Sequence, residues 1–199
     1  GTSVAAFQYL KKVDMNWKLL LLMMLLATIS AFAGSALLIY VDNDFMKPML
    51  LVVLCIIAIY TFIKKDFGQH IEKNHSTGRQ IMYAILISVA IGFYDGFIGP
   101  GAGSFLVLAF IVLMGFDFLH ASANAKMVNL ATNFGSICLF LFKGKIIWPI
   151  AIPMAICNAA GAWLGAKLAI RKGNKFIRVF FLVIVVLTLT RFAYDVFYK

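Results

Sequence analysis

Gly92-Phe93-Tyr94-Asp95-Gly96-Phe97-Ile98-Gly99-Pro100-Gly101-Ala102-Gly103-Ser104 places five glycines, one proline and one carboxylate inside a hydrophobic segment. Lipid cannot satisfy freed N–H and C=O groups, so a backbone break at membrane depth survives only where protein, a bound ion or a water-filled cavity supplies partners. Transporters use such broken helices to present helix ends to a substrate near the midplane. The same turn decides the fold. As one helix, residues 81–116 would be about 54 Å long, too long for one simple crossing and marginal for two. A broken or re-entrant helix hinged at Gly99-Pro100-Gly101, within the stretch Gly99–Gly103, fits that length.

Outward from the turn, the composition points the same way. The chain of 199 residues is 63% hydrophobic and 13% charged, with mean hydropathy +0.94, more apolar surface than a soluble domain of this size can bury. An all-α polytopic membrane protein is predicted. The charges gather between apolar runs, at Lys11, Lys12 and Lys18, at Lys64 to Arg79, and at Arg171 to Arg178. The net charge of +10 therefore reads as a positive-inside bias facing a lipid bilayer, and not as a nucleic-acid surface. Cys55, Cys138 and Cys157 each stand alone in apolar sequence without metal-ligand spacing, so buried thiols are expected, with no metal and no cofactor. His70, Glu72 and His75 read as a solvated loop, His120 as a helix entry, and Arg191 with Asp195 as an interfacial ion pair. The first ten residues resemble the end of a helix rather than a signal peptide.

Apolar runs occupy about 4–10, 19–40, 49–63, 81–98, 104–116, 120–142, 146–170 and 176–198. A gapless shift of 131 positions superposes Trp17 on Trp148, Met23 on Met154, Ala31 on Ala162, Gly34 on Gly165 and Phe45 on Phe176, which suggests an internal repeat. The expected organisation is 1–63 as the remainder of a first transmembrane repeat, 64–80 as a basic cytoplasmic linker and 81–199 as a second repeat. If 81–116 enters and leaves from one side, the basic connections at 11–18, 64–80 and 171–178 all face the cytoplasm and the repeats are inverted. If it crosses once, the repeats are parallel. The charge distribution favours inversion.

Downstream of the break, Ser122, Lys126, Asn129, Asn133 and Ser136 are spaced by four, three, four and three, on one helical face. A polar face with a lysine suits an anion: Lys126 supplies charge, and the serine and asparagine side chains donate hydrogen bonds. Snorkelling of Lys126 and polar packing between helices are the structural alternatives. Gly99, Gly101 and Gly103 would free N–H groups at the start of a half-helix, where the positive dipole end and Ser104 face an oxyanion. The stretch lacks the lysine ending of a P-loop. Asp95 must be paired, protonated or hydrated at such depth, and reads as a proton-coupling or a structural residue.

The run GFYDGFIGPGAGSFL, then AKMVNLATN, the short KGKIIWP connection and GAWLGAKLA ahead of a basic segment together resemble the TauE/SafE sulfite exporter family. The likeness runs from residue 81 to the C-terminus as the second half of that domain, with residues 1–63 similar to the later part of its first half. On this likeness the chain lacks the family's first transmembrane segment. The resemblance implies a multi-pass protein of the cytoplasmic (inner) membrane with two related halves, moving sulfite, thiosulfate, sulfoacetate or related anions by alternating access. A passive anion channel and a non-transporting structural or assembly subunit are the alternatives, and the copy number is open between a monomer and a homo-oligomer. An enzyme is not expected, because no HExxH, no GxSxG and no paired intramembrane carboxylates occur.

Overall fold

The computed structural model describes residues 1–10, 13–41, 48, 49, 52, 55 and 76–197. Its helices are α1 (Thr2–Leu10), α2 (Trp17–Leu38), α3 (Thr77–Phe97), α4 (Ala102–Met114), α5 (Phe118–Phe142) and α6 (Trp148–Phe197), with no strand among the described residues. Four of them are long and apolar enough to cross a membrane: α2, α3, Leu119–Phe142 of α5 and Trp148–Leu168 of α6. At 13 residues, α4 is about 20 Å long and too short to cross about 30 Å of hydrocarbon.

The helix ends follow local chemistry. Asn16 and Asp117 cap α2 and α5, each side-chain oxygen accepting from the N–H three residues on, Leu19 and His120 respectively. α4 stops at Gly115, whose φ of +73° is left-handed. The Phe116 N–H then reaches back to the Phe110 carbonyl, and the two rings stack with centroids 5.6 Å apart, the hydrogen bond and apolar contact of a Schellman stop.

Lipid gives no hydrophobic drive between helices, so close backbone approach through small residues holds them together. α2 does this on two sides. Ala27 lies against Gly92, Ala31 against Gly96 and Gly34 against Phe93 and Phe97. A methyl group added at Gly34 would stand 2.2 Å from the Phe93 carbonyl oxygen, and at Gly96 2.0 Å from that of Ala31. On the other side, Gly135 of α5 presses on Thr28, whose carbonyl oxygen would meet an added methyl at 2.4 Å. The Thr28 hydroxyl is 3.1 Å from the Ala131 carbonyl and the Ser35 hydroxyl 2.8 Å from that of Ser136. Residue numbers rise together in both contacts, so α2, α3 and α5 run in one direction. Leu20, Met23, Ile87, Leu106, Phe110 and Val128 form the dry centre between these helices and α4.

Two expectations of the sequence change here. The runs at 146–170 and 176–198 are one backbone helix, α6, of 50 residues, with the segment Arg171 to Arg178 inside it instead of forming a loop. Arg and Lys are good helix formers, and Gly173 is the only strong helix breaker among them, so a basic stretch need not break a helix. Secondly, the polar stripe of α5 does not stay together, as its contacts show below. The side chains of Arg191 and Asp195, and the whole of 64–75 with His70, Glu72 and His75, lie outside what is described.

Candidate functional site

The site is built where α3 ends. The Ile98 and Gly99 N–H groups both donate to the Tyr94 carbonyl, Gly99 takes φ +85°, and Pro100 has no N–H with which to continue the helix. The Tyr94 hydroxyl closes the turn by donating to the Pro100 carbonyl oxygen at 2.6 Å, and its ring meets Phe105 edge-on at 5.2 Å. Gly101, at φ +87°, then opens α4. A left-handed backbone is available to glycine without strain, which is why this connection is glycine-rich at Gly99 and Gly101. The break predicted from the sequence is therefore present at residues 98–101.

The opening N–H groups of α4 are only partly free. Ala102 donates to Gly99 O, and Ser104 and Phe105 both donate to Gly101 O. The Gly103 N–H has no backbone acceptor among the described residues, and no atom outside its neighbours stands within 4 Å of where its Cβ would be. The space where a Gly103 side chain would stand is open, and Gly103 and Ser104 are both half-buried.

One turn before that break, Asp95 points to α5. Its Oδ2 accepts from the Asn129 side-chain amide at 2.7 Å and from the Thr132 hydroxyl. Thr132 is 1% exposed, and its Oγ1 is also 2.9 Å from the Asn129 carbonyl oxygen. One hydroxyl proton serves one of these acceptors at a time. Asn129 and Thr132 are the twelfth and fifteenth of the 25 residues of α5, so the carboxylate sits beside the middle of a membrane-spanning helix.

Lys126 lies one turn before Asn129 on α5, on the side of the helix from which Asn129 reaches Asp95. It is partly buried, and its ammonium forms neither a hydrogen bond nor a contact ion pair among the described residues. Ser122, a further turn back, is buried. The remaining stripe residues serve packing: the Asn133 amide donates to the Thr2 hydroxyl of α1 at 3.1 Å, and Ser136 meets Ser35, which itself donates to the Gly96 carbonyl at 2.9 Å. Asp95, Asn129 and Lys126 thus come together while Asn133 is drawn away.

Thr132 was not legible as a site residue. It lies beside the four-three-four-three spacing, and only the direction from which α3 approaches brings it to Asp95. At the start of α5, outside the span, Asp117 pairs with His120. Desolvation pushes its carboxyl up, but hydrogen bonds from the His120 N–H and ring and from the Leu119 N–H outweigh this and hold it below the usual carboxylate range. No group of three or more His, Cys, Asp or Glu able to hold a metal occurs among the described residues.

The family model for the sulfite exporter TauE/SafE matches residues 1–192. A probable membrane transporter protein, YfcA, of Escherichia coli K12 is 32% identical over 167 residues, covering 84% of this chain and 61% of its own length. The probable membrane transporter proteins ORF9 of Sinorhizobium sp and its counterpart in Haemophilus influenzae are 32% and 30% identical over 195 residues, 98% of this chain and 74% and 76% of theirs. No solved structure matches. The chain spans about three-fifths of the length of the E. coli relative. With the match running over nearly its whole length, this multi-pass membrane chain belongs to the sulfite exporter TauE/SafE family.

Proposed function

We propose that the protein moves small anions, sulfite or related sulfur oxyanions and organosulfonates, across the cytoplasmic membrane by alternating access. The observation that carries this is Lys126: a partly buried ammonium about a third of the way along a spanning helix, with no hydrogen-bond acceptor among the described residues. A cation at that depth is costly unless something anionic visits it. Asn129 on the next turn, Ser122 on the preceding one, and the Gly103 N–H with Ser104 at the start of α4 supply donors for an oxyanion. Gly99 and Gly101 shape the turn that presents them, and Asn133 ties the stripe to α1.

Helix directions support a re-entrant α3–α4 pair. α3 and α5 run the same way, so the chain must return to its starting side between them, and α4 is the only helix available. From Phe118 to Asn129–Thr132 is 11 to 14 residues, about 16–21 Å of rise, which matches the about 20 Å of α4. The turn at Gly99–Gly101 then lies inside the membrane, reached from the side on which α5 begins. α1 runs with α6, Gly1 lying against Asn158 and Gln8 donating to the Trp163 carbonyl. It runs against α5, Thr2 meeting Asn133 while Tyr9 packs with Ala123. α6 therefore runs opposite to α5 and α2, the relation expected of inverted repeats.

The experiment is flux of labelled sulfite into proteoliposomes of the full-length protein, with Lys126→Ala as the comparison. Flux that falls at least about tenfold in the variant at equal insertion supports carriage through this site. Equal flux removes Lys126 from it, and conductance far above carrier rates favours a channel.

A further inference from the structure

We infer that Asp95 is a proton-gated internal competitor of the transported anion: when ionised it holds the Asn129 and Thr132 donors and offsets the Lys126 charge, and when protonated it releases the Asn129 amide and Lys126 to the anion. This deepens the transport reading and rests on it.

The carboxylate and a sulfur oxyanion ask for the same things, a cation and a set of N–H or O–H donors. Beside Asp95 stand Asn129 and Thr132, which bond to it, and Lys126 three residues before Asn129 on the same helix. An arriving anion meets a site already occupied by a tethered anion. Two negative charges sharing one ammonium at this depth repel strongly, since separation by a few ångströms in a poorly polarisable medium leaves little screening. Adding a proton to the Asp95 carboxylate removes one of them.

The hydrogen bonds can follow that proton without movement of the backbone. Thr132 Oγ1 lies within reach of two acceptors, Asp95 Oδ2 and the Asn129 carbonyl. With Asp95 ionised, Thr132 donates to the carboxylate. With Asp95 protonated, the carboxyl O–H donates to Thr132 Oγ1, whose own proton turns to the Asn129 carbonyl at 2.9 Å. Every donor stays satisfied, the Asn129 amide is free to turn to the anion, and the proton is stored on Asp95 until the anion leaves.

Few other groups compete for this role. α3 itself carries Arg79, Tyr83 and Tyr94, and the Tyr94 hydroxyl is committed to the Pro100 carbonyl. Of the helices packed on α3, α2 brings only Lys18, in its first turn, and α4 has no ionisable side chain. α5 brings His120, held by Asp117 at its first turn, Cys138 and Lys126. Linkage makes the coupling reciprocal: if a proton tightens the anion, the anion must draw in a proton. The consequence is movement of anion and proton in the same direction.

The test uses labelled thiosulfate, whose charge is constant over the range examined, binding to full-length protein in detergent between about pH 5 and pH 8. The wild type is expected to lose about tenfold or more in affinity across that range as pH rises. Asp95→Asn, which keeps an acceptor oxygen for Asn129 and Thr132 but carries no charge, should bind equally at both ends, near the acid affinity of the wild type. A wild-type affinity independent of pH, or an Asp95→Asn variant with the wild-type profile, overturns the proposal while leaving Lys126-dependent binding intact. Absence of binding to the wild type at every pH overturns the transport reading and this proposal with it. Should Asp95→Asn not fold, the wild type alone decides: adding thiosulfate in weakly buffered solution should take up protons, approaching one per anion bound, and no uptake contradicts the proposal.

Discussion

At the scale of single residues, the middle of α5 divides between the proposed anion switch at Asp95 and helix packing. Lys126 is the cation, Asn129 and Thr132 hold Asp95, and Asn133 belongs to the α1 contact. Thr132→Val should leave a buried carboxylate short of one donor at a cost of about 1–3 kcal/mol, read as a lower melting temperature in detergent. Asn133→Ala should disturb the seat of α1 but leave the pH profile of anion binding unchanged. Asp117 gives a separate prediction outside the span. Its folded carboxyl is held below the ordinary range, so its stabilisation is present above about pH 4 and is lost as pH falls through the folded value. Asp117→Ala should cost about 1 kcal/mol of cap at neutral pH, and the difference from wild type should shrink in acid. Spacing alone places Lys126 and Asn129 on one helical face. It could not show Thr132 or the diversion of Asn133, since spacing defines a face but not which neighbour meets it.

Among the elements, the α2–α3 contact is the tightest constraint. Gly34 and Gly96 each face a carbonyl oxygen about 2 Å from an added methyl group, so Gly34→Ala or Gly96→Ala must push two backbones apart, at about 1–3 kcal/mol. Gly165, the position equivalent to Gly34 under the 131-residue shift, has nothing within 4 Å, and Gly165→Ala should raise thermal stability by about 0.5–1 kcal/mol through helix propensity. Melting curves of the three variants check both statements. The break between α3 and α4 was legible because glycine and proline act on the backbone locally, whatever surrounds them. The continuity of α6 through Arg171 to Arg178 was not: charge marks where a chain meets water, and a helix can pass through water as readily as a loop.

For the molecule as a whole, direction is the property that joins site to transport. With native Cys55, Cys138 and Cys157 removed, Gly78→Cys before the body of α3 and Phe116→Cys after α4 should react with an impermeant thiol reagent from the same side, and Lys145→Cys beyond α5 from the other. Labelling of the first two from opposite sides would mean that 81–116 crosses once and that the repeats are parallel. The all-helical membrane class followed directly from hydropathy. Helix direction required contacts such as Ala27 with Gly92 and Ala31 with Gly96, which no periodicity contains. The measurement that bears most directly on the central claim is labelled-anion flux into proteoliposomes of full-length wild type and Lys126→Ala at matched insertion. Flux should be present in the first and reduced at least about tenfold in the second; equal flux, or none from well-inserted wild type across sulfite, thiosulfate and sulfoacetate, would contradict an anion pathway through Lys126.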